Sequence, residues 1–369
     1  MICAPVSYGT GALLKTEHME QNVLRKDRVR QVDLAKSLAI LAVIVIHISG
    51  EPLLYQPVGS GAWTQNLLFG SASRFAVPLF FLCSGALLLD ENREVSARHI
   101  WTRNIPHMLA ALFFWAAAYA MAPFVYHGNF DFAAIGKKLL DVLCWRHEQH
   151  LYFLHIMLLV YAALPVTRVL TERADEKTVR YALLFWCVTG VLLPAAKSFR
   201  LLDVLGGIPM QWPLNMTWSA IGCTALGWYL RKRPLGWQAA AGYFAAGFAI
   251  SFGGTLLLSV RKGMLVIQLL EGLSPGPLLM AAGVFCLCAE FAPKLPNALQ
   301  KAAETGGRAS FCIYLVHQFA LKLLRALGVT AQFAAPLKSV PVVAILCLAI
   351  SFAVYLALSK IPFVRRWLM

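Results

Sequence analysis

Apolar stretches long enough to cross a lipid bilayer recur along nearly the whole 369-residue chain. A helix that spans the hydrocarbon core needs about 20 mostly apolar residues, so each stretch predicts one membrane-spanning helix. The composition agrees, because 59% of the residues are hydrophobic and 14% are charged, against about 45–50% and about 25% in soluble domains. The chain is therefore predicted to be an all-α, polytopic membrane protein with about ten spans, at 34–54, 75–90, 105–126, 151–170, 181–196, 214–230, 236–258, 275–292, 310–326 and 339–359.

The net charge of +15 comes from basic residues that form short clusters at the ends of the predicted spans. Such scattered clusters are typical of membrane topology and not of a nucleic-acid-binding surface, so no nucleic-acid partner is expected. Most Lys and Arg residues fall in the N-terminal tail and in alternate loops, such as Arg231-Lys232-Arg233. The positive-inside rule then predicts that both termini are cytoplasmic.

Two regions are expected: a polar cytoplasmic tail, 1–30, and one transmembrane domain, 31–369. The tail has no secretory signal pattern, and Met19 is a second plausible start of translation. Most of the nine cysteines lie within apolar stretches and are predicted to pack as small hydrophobic side chains. Cys286 and Cys288 are too close together, with no nearby His, to predict a metal site.

The first predicted span carries two ionisable residues, Lys36 and His47. They are eleven residues apart, or about three helical turns, which places both on one face and about 16 Å apart along the axis. Ionisable groups inside a span are costly, and their presence indicates a functional site. Alternatively, Lys36 extends to the membrane interface and His47 bonds a neighbouring helix.

The second predicted span opens with a longer motif from Arg74 to Gly85, which reads Arg-x-x-x-Pro-Leu-Phe-Phe-x-x-Ser-Gly. Together with the first helix, this run resembles the acyltransferase-3 family of membrane acyltransferases, and it looks particularly like the O-acetyltransferases of enterobacterial common antigen. Two later runs are similar to family motifs. The run at His150 has Tyr152 where the family has Trp, and the Ser-Phe-Cys-Ile-Tyr-Leu-Val-His run that ends at His317 has Cys where the family has Gly.

The resemblance implies transfer of an acyl group, usually acetyl, from cytoplasmic acyl-CoA to a hydroxyl of a lipid-linked or cell-surface glycan. It also implies a multi-pass protein of the bacterial inner membrane. Acyl-CoA is expected as the donor substrate, and no bound cofactor or metal is predicted. Where the family usually has Arg in the first span, this chain has Lys36. Lysine keeps the positive charge but cannot form the bidentate pair of hydrogen bonds that a guanidinium makes to a phosphate.

A sugar hydroxyl is a poor nucleophile, so the reaction needs a base, and an imidazole with its ordinary pKa of about 6.5 suits neutral pH. We expect His47 to be this general base and Lys36 to hold a phosphate of CoA. Arg74 is expected at the outer end of the second span, as an anchor for an oxyanion or a sugar. Each of the other candidates for substrate binding has an alternative role at the interface or in helix packing; they are Glu148, His150, Tyr314 and His317.

The main alternative function is a transporter or flippase for glycans or small solutes, because buried Lys and His residues also suit a proton-coupled carrier. Against it, the second half of the sequence does not repeat the first. A non-catalytic membrane scaffold is a third possibility, but it leaves the ionisable residues of the spans unexplained. No Gly-x-Ser-x-Gly motif predicts an acyl-serine intermediate.

Overall fold

The computed structural model describes residues 30–91, 96–128, 130–199, 207, 209 and 211–369. Within these residues the chain is helical and has no strand. Apart from Arg30, the predicted tail lies outside the described residues. The helices are α1 Arg30–Gly50, α2 Gly61–Ala72, α3 Ala76–Leu88, α4 Ala97–His127, α5 Phe132–Leu143, α6 Tyr152–Arg173, α7 Glu176–Ser198, α8 Met216–Lys232, α9 Trp237–Lys262, α10 Pro275–Phe291, α11 Asn297–Ala326, α12 Pro336–Leu358 and α13 Pro362–Trp367.

Eight helical segments in the described part of the chain are long and apolar enough to cross a membrane. This confirms the prediction of an all-α, multi-pass membrane protein. Helices α8 and α11 coincide with two further predicted spans but fall outside this group of eight. Helix α8 has 17 residues, and α11 has 30 residues, of which the first half is polar. The count of ten spans and the cytoplasmic placement of both termini therefore stay predictions.

The second span is longer than the sequence predicted, and the difference moves Arg74. Helices α2 and α3 form one spanning unit of 28 residues, Gly61–Leu88, which bends at residues 73–75. Arg74 lies at this bend, inside the unit, and its predicted place at the outer end of a span is wrong. The cause is α2, whose polar residues, such as Asn66 and Ser71, interrupt the apolar pattern although both side chains are buried.

Helix α1 lies at the centre of the bundle, where it packs against α3, α10, α11 and α12. Ala35, Ala39 and Ile44 on this helix are fully buried, and their small or branched side chains let the neighbours approach closely. The start of the helix is also held by hydrogen bonds, since Ser37 Oγ donates to the Ala303 carbonyl at 2.8 Å. Helix α2 also packs against α1, so residues on α1 are held in fixed positions between five other helices.

Helices α3 and α8 touch through their backbones at two glycines. A Cβ atom added to Gly85 would lie 1.8 Å from the carbonyl oxygen of Thr224, and one added to Gly227 would lie 2.1 Å from that of Leu82. Any side chain here would overlap the facing helix, so only glycine permits this crossing. The contact fixes the position of α3, which carries Phe80 into the interior of the bundle.

Candidate active site

Three histidines from distant parts of the sequence meet inside the bundle. His47 lies on α1, His317 lies on α11, and His150 lies in the short helical turn Gln149–Leu151 before α6. The ring centroids of His47 and His317 are 5.1 Å apart, and those of His150 and His317 are 5.6 Å apart. His317 is fully buried and His150 nearly so. The structure thus brings together three residues that the sequence named as site candidates.

His317 has its two ring nitrogens in different surroundings. Its Nδ1 lies 2.6 Å from the carbonyl oxygen of Tyr314, and because a carbonyl only accepts, this nitrogen carries the proton. In the neutral ring the Nε2 atom is then a hydrogen-bond acceptor. It has no partner among the described residues, and neither has Nε2 of His150. Buried nitrogens without partners cost free energy, so this arrangement suits a site that a bound molecule completes.

Two tyrosines hold the histidine cluster in place. The Tyr314 hydroxyl donates to the backbone carbonyl of His150, and the Tyr119 hydroxyl donates to the Leu315 carbonyl at 2.7 Å. The Tyr119 ring meets the His150 ring edge-on at a centroid distance of 4.8 Å. Sequence analysis named Tyr314 but missed Tyr119, because a single Tyr in an apolar stretch has no distinguishing pattern.

Arg74 and His47 both line a cavity of about 280 Å³, here called the Arg74 cavity. His150, Tyr314 and Gly272 also line it, and most of its remaining wall is apolar or aromatic. The Nε atom of Arg74 is buried and has no hydrogen-bond partner in the described part of the chain. A guanidinium within a membrane span is costly, so its presence beside His47 indicates a role in binding or catalysis.

A second cavity, of about 410 Å³, lies at the Lys36 end of α1 and is here called the Lys36 cavity. Its wall is basic: besides Lys36 it includes His99, Arg103 and His107. The sequence analysis did not name Arg103 or His107 as site residues. Their separation of four residues at the start of α4 was an available signal, since it places both on one helix face.

The Lys36 cavity and the Arg74 cavity are neighbours, because Phe80, Phe153 and Tyr314 line both of them. The ring centroids of Phe80 and Phe153 are 5.9 Å apart, and those of Phe153 and Tyr314 are 5.6 Å apart. The three rings therefore lie in contact between the basic cavity and the histidine cluster.

A third cavity, of about 230 Å³, lies on the other side of His47 and is here called the Glu51 cavity. Among the residues that the structure describes, His47 alone lines both this cavity and the Arg74 cavity. The three cavities thus follow one another from Lys36, near the start of α1, to Glu51, just beyond its end. His47 lies at the junction of the last two.

Glu148 does not line any of these three cavities. Its carboxylate accepts from Lys322 Nζ at 2.7 Å, and both side chains are partly exposed to solvent. Exposed ion pairs contribute little to stability. Lys322 Nζ also lies 5.2 Å from the centre of the Tyr119 ring, so the pair is linked to the residues that hold His150.

Among the residues that the structure describes, no three His, Cys, Asp or Glu side chains are placed to hold a metal ion. A family model for the acyltransferase-3 family, described as an acyltransferase domain, matches residues 29–358. This match covers nearly the whole chain. It includes every residue that lines the Lys36, Arg74 and Glu51 cavities except Met369. No curated protein and no solved structure matches the chain.

Proposed function

The chain belongs to the acyltransferase-3 family and is an acyltransferase. From this premise we propose that it moves an acyl group, acetyl in particular, from acyl-CoA to a hydroxyl of a cell-surface or lipid-linked glycan. The observation that carries the proposal is the series of three neighbouring cavities with His47 at a junction. A cytoplasmic thioester and an exported acceptor must meet at one point within the membrane, and such a series gives each of them an approach.

The Lys36 cavity suits the nucleotide end of acyl-CoA. Lys36 and Arg103 in its wall carry positive charge, and both side chains bind phosphate groups well. The slender, uncharged pantetheine arm would extend along Phe80, Phe153 and Tyr314, which line both cavities, and a charged group would find no partner on these rings. Under the topology predicted from the Lys and Arg distribution, this cavity opens to the cytoplasm, where acyl-CoA is found.

The thioester then lies in the Arg74 cavity beside His47. As the acceptor oxygen attacks the thioester carbon, His47 takes the hydroxyl proton, and Arg74 stabilises the negative charge that forms on the carbonyl oxygen. The carbon–sulfur bond breaks, and His47 returns the proton to the sulfur. The products are the acylated sugar and free CoA, and the histidine is restored for the next turnover.

His317 is a positioning residue in this scheme. Its Nδ1 is held by the Tyr314 carbonyl, so its Nε2 can accept an N–H from the neighbouring His47 ring. Such a bond selects one tautomer of His47 and leaves the other nitrogen free to act as the base. The 5.1 Å between the ring centroids allows this contact after a small rotation of either ring.

The test is transfer by the purified protein in lipid nanodiscs, with acetyl-CoA labelled in the acetyl group and membranes from cells lacking the gene as the source of acceptor. We expect label to enter the glycan fraction and one free CoA to appear for each acetyl transferred. If no CoA is released while labelled glycan crosses the membrane of reconstituted vesicles, the chain is a carrier and the proposal is wrong. Mass spectrometry of surface glycans from cells with and without the gene then identifies the acceptor.

A further inference from the structure

We propose that the Glu51 cavity is the acceptor subsite and that it takes a neutral, hydroxyl-bearing sugar unit. This inference rests on the proposed acyltransferase function. The cavity meets the Arg74 cavity at His47, so a hydroxyl held in one can reach the thioester carbon held in the other beside the same imidazole nitrogen. The donor and the acceptor would then never compete for the same space.

The wall of the Glu51 cavity carries uncharged hydrogen-bonding groups of the kind that bind sugar hydroxyls. Tyr55 lies just after α1, and Thr330 and Gln332 lie in the loop between α11 and α12. The Gln332 amide already donates to the Tyr55 hydroxyl, which brings the two segments together. Partial burial and the neighbouring Glu51 raise the pKa of Tyr55 above its ordinary value, which is consistent with a protonated hydroxyl that can donate.

The charges in this wall argue for a neutral acceptor. Glu51 and Arg325 both line the cavity, and they form an ion pair with each other. A phosphate or a carboxylate entering the cavity would have to displace Glu51 from Arg325 and would meet its negative charge. In the Lys36 cavity, by contrast, the wall has Lys36 and Arg103, and none of its described residues is Asp or Glu.

The Arg74 cavity is less suited to the acceptor. Its wall is mostly apolar or aromatic, and it continues through Phe80, Phe153 and Tyr314 into the basic Lys36 cavity. A sugar entering there would occupy the place beside Arg74 and His150 that the proposed thioester uses, and the apolar remainder of the wall would not replace its hydrogen bonds to water. The polar wall of the Glu51 cavity avoids this cost.

The first test fills the cavity with Thr330→Trp. The variant is expressed at matched abundance in cells lacking the gene, and acyl groups on the cells' own surface glycans are measured by mass spectrometry. We expect at least a tenfold loss of glycan acylation, with acetyl-CoA binding in nanodiscs unchanged. The matched control is Phe333→Trp in the same loop, because Phe333 is exposed and does not line the cavity; it should acylate at the wild-type level.

Two milder variants keep the test decisive if the bulky one misfolds. Tyr55→Ala and Gln332→Ala change exposed side chains and should raise the KM for the acceptor several-fold without changing the KM for acetyl-CoA. Wild-type acylation by all three variants would overturn the inference, as would finding the acyl group on a uronic acid or a phosphorylated sugar. A wild-type protein that releases no CoA from acetyl-CoA would instead overturn the proposed function itself.

Discussion

The imidazole rings of His47 and His317 lie 5.1 Å apart in the interior of the bundle, but their surroundings differ. His317 is fully buried and is held at Nδ1 by a backbone carbonyl. His47 lines two cavities, one on each side. This difference supports the two roles proposed for the rings, because a general base must reach its substrate and a positioning residue need not.

Replacement of His47 by Gln should lower the rate of glycan acylation by about 10²–10⁴, the usual contribution of a general base. The rate is measured with labelled acetyl-CoA at matched protein abundance. His127→Gln is the control, since His127 is an exposed residue at the end of α4. If the His47→Gln protein acylates at nearly the wild-type rate, His47 is not the base, and His317 or His150 would be assigned that role.

His317→Ala should cost less than loss of His47, because the base remains and only its orientation is impaired. We expect kcat to fall while the KM values for donor and acceptor change little. His317→Asn should recover part of the lost rate, since its amide oxygen can still accept an N–H from His47. Equal losses for Ala and Asn would argue that His317 only fills space between helices.

Lys36→Ala should raise the KM for acetyl-CoA with a smaller effect on kcat, because a phosphate contact far from the reacting atoms contributes the same binding energy throughout the reaction. Lys36→Arg should preserve or improve the KM, since a guanidinium grips phosphate with two hydrogen bonds. Lys294→Ala is the control: this lysine does not line the Lys36 cavity and pairs with Glu290. Unchanged kinetic constants for Lys36→Ala would exclude the donor-anchor role.

Gly85→Ala should destabilise the protein, because the added methyl group would overlap the Thr224 backbone. Overpacking of this kind typically costs about 1–3 kcal/mol. A lower temperature of unfolding in detergent, read by loss of the monodisperse peak on heating, measures the effect. Gly242→Ala is the control in a spanning helix, since nothing lies within 4 Å of its added Cβ atom. If both variants melt alike, the α3–α8 contact is looser than described.

The predicted topology can be tested with one native cysteine. Cys144 is exposed, whereas the other cysteines of the described residues are buried or half-buried. A membrane-impermeant maleimide added outside should label Cys144 without permeabilisation of the membrane that holds the protein. In a Cys144→Ala background, Lys232→Cys should be labelled only after the membrane is permeabilised. Labelling of position 232 from outside would reverse the predicted orientation.

The sequence predicted the helical class well because apolar stretches of spanning length are a local property. It misplaced Arg74 because the polar residues Asn66 and Ser71 interrupt the apolar pattern of α2, although the fold buries both side chains. His47 was named from its place in the first span in line with Lys36 and from the family resemblance, and His150 and His317 were named from family motifs, but no local pattern could show that the three meet. Their meeting depends on how α1, α11 and the turn before α6 pack, which is decided by contacts between residues far apart in the chain.

The packing of α1 against α11 and α12 also bears on how the protein is made. At about 5–20 residues per second, a ribosome needs roughly 15–55 s to extend the chain from His47 to His317. During this time α1 is already in the membrane, while the helices that complete its surroundings do not yet exist. The cluster of His47, His150 and His317 therefore cannot form in the nascent chain before α11 has been made.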